Sequence, residues 1–137
     1  MIPDLQASLL CDDVRQERNG KFMLIGLFDG LAVQQLPTRF PKICVVNRWC
    51  CGQGEFAQRT RLIGPDEKRV IMEGQDVSVK LAGAEHTATS IEVFMNVGFE
   101  TAGTYWVEVL LNGQMRLRYP LMLRLVPQQT QQPPNSN

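Results

Sequence analysis

Most of the usual signs of a function are missing from this chain of 137 residues. It holds a single histidine, His86, and four cysteines, Cys11, Cys44, Cys50 and Cys51, with no Cys-x-x-Cys pair among them. It has no excess of charge, since 14 Lys and Arg balance 14 Asp and Glu. That balance argues against a nucleic-acid footprint and against a polybasic membrane anchor. No apolar run approaches a membrane span. The first residues have no basic segment, and Asp4, Asp12 and Asp13 interrupt any apolar stretch, so no secretory leader is expected. No Gly-Lys-Ser/Thr follows Gly26 or Gly30, which removes a phosphate loop. Ser8, Ser78, Ser90 and Ser136 all lie outside a nucleophile-elbow pattern. The expected setting is cytoplasmic, with reduced thiols that behave as small apolar side chains.

A metal site is also not expected. On one strand Cys50 and Cys51 point to opposite faces, and Cys44 stands six residues from Cys50, roughly 20 Å along an extended chain. Asp12 and Asp13 are adjacent, so on a strand they face opposite ways and do not make an acid–base pair. Solvated strand-end charges are the better reading.

What is present is alternation. From Glu100 to Val126 apolar residues recur at every second position: Tyr105, Val107, Val109 and Leu111, then Met115, Leu117, Tyr119, Leu121, Leu123 and Leu125. Period two over this length predicts two half-buried strands. The turn at Asn112-Gly113 has two readings. A two-residue loop sets Val109 opposite Arg116 and drives arginines into the core. A three-residue loop, Leu111 to Gly113, sets Val109 against Met115, Val107 against Leu117 and Tyr105 against Tyr119. The second is expected, with Gly113 taking the positive φ. Glu100, Ala102, Gly103 and Tyr105 resemble the tyrosine corner of immunoglobulin-like sandwiches, although Val107 stands where antibody domains carry a cysteine.

Taken in order, the chain predicts a strand over 5–14, with Leu5, Ala7, Leu9 and Cys11 on one face. An Asn19-Gly20 hairpin and a strand over 21–29 follow. Phe22 to Phe28 is apolar on both faces, the signature of a central strand covered on both sides, by this chain or by another subunit. Leu36 to Pro41 is a loop crossing between sheets. Strands then follow over 42–51, 55–63, 69–73, 75–82 and 88–99, with Trp49 as the candidate core tryptophan. In the strand over 88–99, the odd residues Thr89 to Phe99 share one face.

Cys11-Asp12-Asp13-Val14, Asn19-Gly20-Lys21, the Ile25-Gly26-Leu27-Phe28-Asp29 strand, Phe40-Pro41, Gly54-Glu55 and Gly64-Pro65-Asp66 together resemble an uncharacterised family of small bacterial all-β proteins. The resemblance covers most of residues 5–126 and implies a fold without an activity.

The reading is an all-β, two-sheet antiparallel immunoglobulin-like β-sandwich over 1–126, followed by a flexible Gln/Pro/Asn tail over 127–137. Arg116, Arg118 and Arg124 share a face of the last strand, with Trp106 on its partner. They form the candidate interaction surface, suited to an anion. The competing reading is a solvated face that guards an edge. The expected function is a non-enzymatic interaction or assembly module with an unknown protein partner or a second copy, and without cofactor, metal, nucleic acid or membrane. Small-molecule or anion binding near His86 or the arginines ranks next. A hydrolase using His86 ranks last.

Overall fold

The computed structural model describes residues 1–127. They form ten strands: β1 Asp4–Gln16, β2 Phe22–Phe28, β3 Gly30–Val33, β4 Thr38–Cys50, β5 Gly54–Ile63, β6 Val70–Glu73, β7 Val77–Leu81, β8 Thr87–Phe99, β9 Gly103–Leu111 and β10 Gln114–Leu125. No helix occurs among the described residues. One sheet has the order β2-β1-β4-β8. The other runs β3-β10-β9-β5-β6, with β7 paired to the first half of β5. The expected tail lies, from residue 128 onward, outside the described residues.

Inward-facing side chains hold the two sheets together. Leu10, Ile43 and Val45 from the four-stranded sheet pack against Leu62, Tyr105, Val107, Leu121 and Leu123 from the six-stranded one. A second cluster surrounds Trp49, which is 0% exposed, with Val79, Leu81, Val109 and Leu111. A buried indole N–H needs an acceptor, and Trp49 Nε1 donates to Gln58 Oε1 at 2.7 Å. The corner before β9 closes as its residues suggest. Tyr105 donates its hydroxyl to the Thr101 carbonyl at 2.7 Å, and Phe99 meets the Tyr105 ring edge-on with centroids 4.9 Å apart.

Several expectations need correction. The sheets are not purely antiparallel, because β3 runs parallel to β10. The chain reaches β3 from β2 in the opposite sheet, not through a hairpin, so nothing forces reversal. The β9–β10 loop is the two-residue Asn112-Gly113 turn, with both residues at positive φ, and Leu111 opposes Gln114. A β-bulge between Met115 and Leu117 absorbs Arg116. Val109 therefore meets Leu117, Val107 meets Tyr119 and Tyr105 meets Leu121. The bulge does the job assigned to a longer loop. Leu117 still ends up exposed, because β3 covers only the far end of β10.

Irregularities elsewhere also move faces. A register shift between Leu5 and Ala7 puts Leu5 against the Trp49 cluster while Cys11 points the other way. Asn96, at φ 52°, reverses the alternation of β8. Val97 and Phe99 are core residues, whereas Val93 and Met95 are exposed. The largest correction concerns β2. It is not central but an outer edge of its sheet, and Phe22 to Leu27 are exposed. Hydropathy records what a side chain is, not what lies beside it.

Candidate docking surface

Directly opposed residues in a sheet share a face. Leu27 opposes Cys11, Cys11 opposes Cys44 and Cys44 opposes Val93, an apolar row across all four strands. Leu9, Val46 and Ile91 make a second row beside it. Their chain neighbours Leu10, Ile43 and Val45 point into the core, so these rows lie on the outside of the sandwich. Cys11, Cys44 and Val46 are nevertheless buried, walled in by Val14 and Ile91. Val14 opposes Leu24, which brings Leu24 to this side. Gly26, at φ +70°, lies between Leu24 and Leu27 and fits beneath the Asp12 side chain, where a Cβ would stand 2.2 Å from Oδ2.

The longer side chains of these rows are open to water. Leu27 is 59% exposed and Val93 51%, and Leu9 and Leu24 are exposed too. Phe22 joins Cys44, Ile91 and Val93 around a shallow depression of about 250 Å³. The rim is polar. Lys42 Nζ donates to Asp13 Oδ1 at 2.6 Å, holding the Asp13 carboxyl below its usual range and the Lys42 ammonium above its own. On another side Arg48 Nε donates to Thr89 Oγ1 at 2.9 Å. Burial raises the Cys11 and Cys44 thiols, so they stay protonated and apolar at neutral pH and are poor nucleophiles. An apolar centre with an ion-paired rim is the anatomy of a protein interface.

On the six-stranded sheet Arg61 and Arg118 are matched by carboxylates. Arg118 stacks its guanidinium 4.3 Å above the Trp106 ring, pairs with Glu67 and lies 3.7 Å from Glu108. Arg61 holds the other Glu108 oxygen at 2.6 Å. The structure thus brings together two of the four residues singled out, Arg118 and Trp106. Arg116 sits in the bulge, and Arg124 Nε points to Met122 Sδ at 3.1 Å, six residues beyond Arg118. They do not gather into one cationic site. His86 is exposed in the turn before β8, where its backbone N–H donates to the Gly83 carbonyl. The hydroxyls of Ser8, Ser78 and Ser90 bond to Tyr119, Glu55 and Gln58, and Ser136 lies outside the described residues.

A family model for DUF6941, a family of unknown function, matches residues 6–124. The chain belongs to that family. No curated protein matches it. The resemblance read from the Cys-Asp, Gly-Lys and Phe-Pro elements is therefore a true membership, and it covers both outer faces of the sandwich.

Two features of this family member escaped the sequence reading. One is a polar cluster between the sheets. Glu92 Oε1 accepts from Gln58 Nε2 at 2.9 Å and from the Thr60 hydroxyl at 2.8 Å. Gln58 Oε1 accepts from Trp49 and Ser90, while Asn47 Nδ2 donates to Thr60 at 3.2 Å and buried Asn47 Oδ1 has no partner among the described residues. Burial raises the Glu92 carboxyl above its ordinary value, outweighing its two hydrogen bonds. Gly74 leaves room for the other Glu92 oxygen. The only signal was polar residues at inward positions of β5 and β8. The second feature is an open cleft of about 1040 Å³ at one end of the sandwich, lined by Arg39, Asp66, Arg69, Ile71, Phe94 and Phe99. Its arginines are engaged, Arg39 with the Asn96 carbonyl at 3.0 Å and Arg69 with Glu100 at 3.2 Å.

Proposed function

We propose that this chain is a non-enzymatic interaction module that assembles with another protein surface through β2 and the outer face of its four-stranded sheet. One observation carries this reading: the Leu27–Cys11–Cys44–Val93 row, with large apolar side chains left open at both ends, on a molecule whose other face is ion-paired. A net charge of zero adds to it, since such a surface is poorly soluble uncovered. The four free cysteines fit a reducing, cytoplasmic setting.

The test is a double substitution, Leu27→Lys with Val93→Lys, in the full chain. Association measured by sedimentation is expected to collapse while the thermal unfolding curve stays in place. A wild-type chain that stays monomeric at high concentration and binds no protein partner overturns the reading. So does association indifferent to both substitutions.

A second reading is capture of a small anionic ligand in the cleft, favoured by Arg39 and Arg69 among its lining residues, with Ile71 and Phe99. Titration with inorganic phosphate and small carboxylates, followed by amide NMR shifts at these residues, decides it.

A further inference from the structure

We propose that Cys50 and Cys51 form a vicinal dithiol that closes reversibly to an intrachain disulfide by exchange with a small disulfide. The inference is independent of the interaction-module reading.

The four cysteines fall into two pairs with opposite surroundings. Cys11 and Cys44 oppose each other across β1 and β4, and both are buried beneath Val14 and Ile91. The other pair stands at the end of β4, six residues beyond Cys44. Cys50 is half-buried there and Cys51 is exposed.

On a continuing strand Cys50 and Cys51 would face opposite ways. β4 ends at Cys50, however, and Cys51 turns to φ 60°. That conformation is uncommon outside Gly, Asn and Asp, because it crowds Cβ against the backbone. It breaks the alternation between the two residues. The start of the chain pins the turn from beyond. Gly52 sits so close to Pro3 that a Cβ would stand 2.6 Å from the proline Cβ, and the Gln53 N–H donates to the Met1 carbonyl at 3.1 Å. The neighbouring Cys51 thiol, ahead of burial, is what raises the Cys50 thiol, an influence that needs the two side chains close together. Cys50 therefore keeps its proton, and the open Cys51 is the attacking thiol.

The chemistry is two exchanges. The Cys51 thiolate attacks one sulfur of the small disulfide, whose S–S bond breaks. A mixed disulfide forms at Cys51 and one small thiolate leaves. Cys50 then gives its proton to solvent, and its thiolate attacks the Cys51 sulfur. The Cys50–Cys51 bond forms and the second small thiolate is expelled. The protein loses two electrons, and the small disulfide is reduced to two thiols. Adjacent Cα atoms are about 3.8 Å apart, closer than disulfides usually span, so the ring is strained and easily reduced again. A labile, exposed bond of this kind suits a reducing setting, where the disulfides that form are transient.

Mass spectrometry of the full reduced chain, equilibrated with oxidised glutathione, tests this. The wild type is expected to lose the mass of two hydrogens, with fragmentation placing the bond between Cys50 and Cys51. Cys11 and Cys44 should be alkylated as free thiols, and only after unfolding. Excess reduced glutathione should return the starting mass. Cys50→Ser is expected to stop at the mixed disulfide on Cys51, whereas Cys51→Ser should take up glutathione at least about tenfold more slowly. Circular dichroism melts confirm that each variant folds. Four free thiols, a bond between Cys11 and Cys44, or a wild type that stalls at the mixed disulfide overturns the proposal. Equal uptake by the two variants overturns the order of attack. None of these outcomes touches the docking face.

Discussion

The outer face of the six-stranded sheet is laced by carboxylates and guanidiniums, whereas the outer face of the four-stranded sheet exposes Leu9, Leu24, Leu27 and Val93 around two buried thiols. On the charged side Arg59 bridges Glu73 and Asp76 at 2.9 Å each, and Glu108 bridges Arg61 and Arg118. Both faces come from the same two-residue period. In β5 it sends Arg59 and Arg61 outward, and in β4 it sends Cys44 and Val46. The difference teaches that one face meets its polar groups within the chain and the other leaves apolar side chains open, the face that the proposed reading assigns to association. The first should matter to folding, the second to association.

The largest expected effect separates these roles. Leu27→Lys with Val93→Lys should weaken association about a hundredfold, close to 3 kcal/mol, by sedimentation equilibrium. Unfolding free energy in urea should move by no more than about 0.5 kcal/mol, as for exposed positions generally. Equal losses in both measurements would erase the distinction between the faces.

Next comes Glu108→Ala on the charged side. It removes the shared partner of Arg61 and Arg118 and should cost about 1–3 kcal/mol of unfolding free energy with the oligomeric state unchanged. Its side chain is only 12% exposed, which is why this pair counts where most surface pairs do not.

A pH series sharpens the comparison by adding the interior. The Asp13 carboxyl, at the rim of the apolar face, is lowered chiefly by its hydrogen bond from Lys42. Its contribution is present at neutral pH and is lost as pH falls from the unfolded value through the folded one. The Glu92 carboxyl is raised, chiefly by burial. The folded state holds that proton longer, so the destabilisation is absent in acid and grows as pH rises from the unfolded value through the folded one. Urea melts at pH 5 and pH 7 should show Glu92→Gln losing a slope in which the wild type is relatively more stable at pH 5. Asp13→Asn should lose the opposite slope at lower pH.

The smallest effect is Arg59→Ala. Its two ion pairs are largely open to water, so the shift in the urea midpoint should be the smallest of the set and fade in high salt.

Much of the fold was legible. Most strand positions, the buried Trp49 and the Tyr105 corner follow from alternation and glycine placement, because a strand offers only two faces. What failed did so at single residues. Gln6, Arg116 and Asn96 each disturb one step of a ladder, and one such step turns every later side chain over. β3 was missed because four residues with one polar neighbour on each side carry too short a pattern. The candidate arginines were legible as a face. The neutralisation of Arg118 was not, since Glu67 and Glu108 reach it from positions far away in the chain.

By itself, then, the order of amino acids determined that this chain makes strands, where most of them lie, and that β2 is apolar on both sides. Hydropathy and turn chemistry are local, and neighbours within a few residues settle them. Only the tertiary structure decided that β2 stands at an edge, that Cys11, Cys44 and Val93 line up with Leu27, and that Glu92 lies between the sheets. Those depend on which strands pair and in what register, a choice made by contacts between residues tens of positions apart.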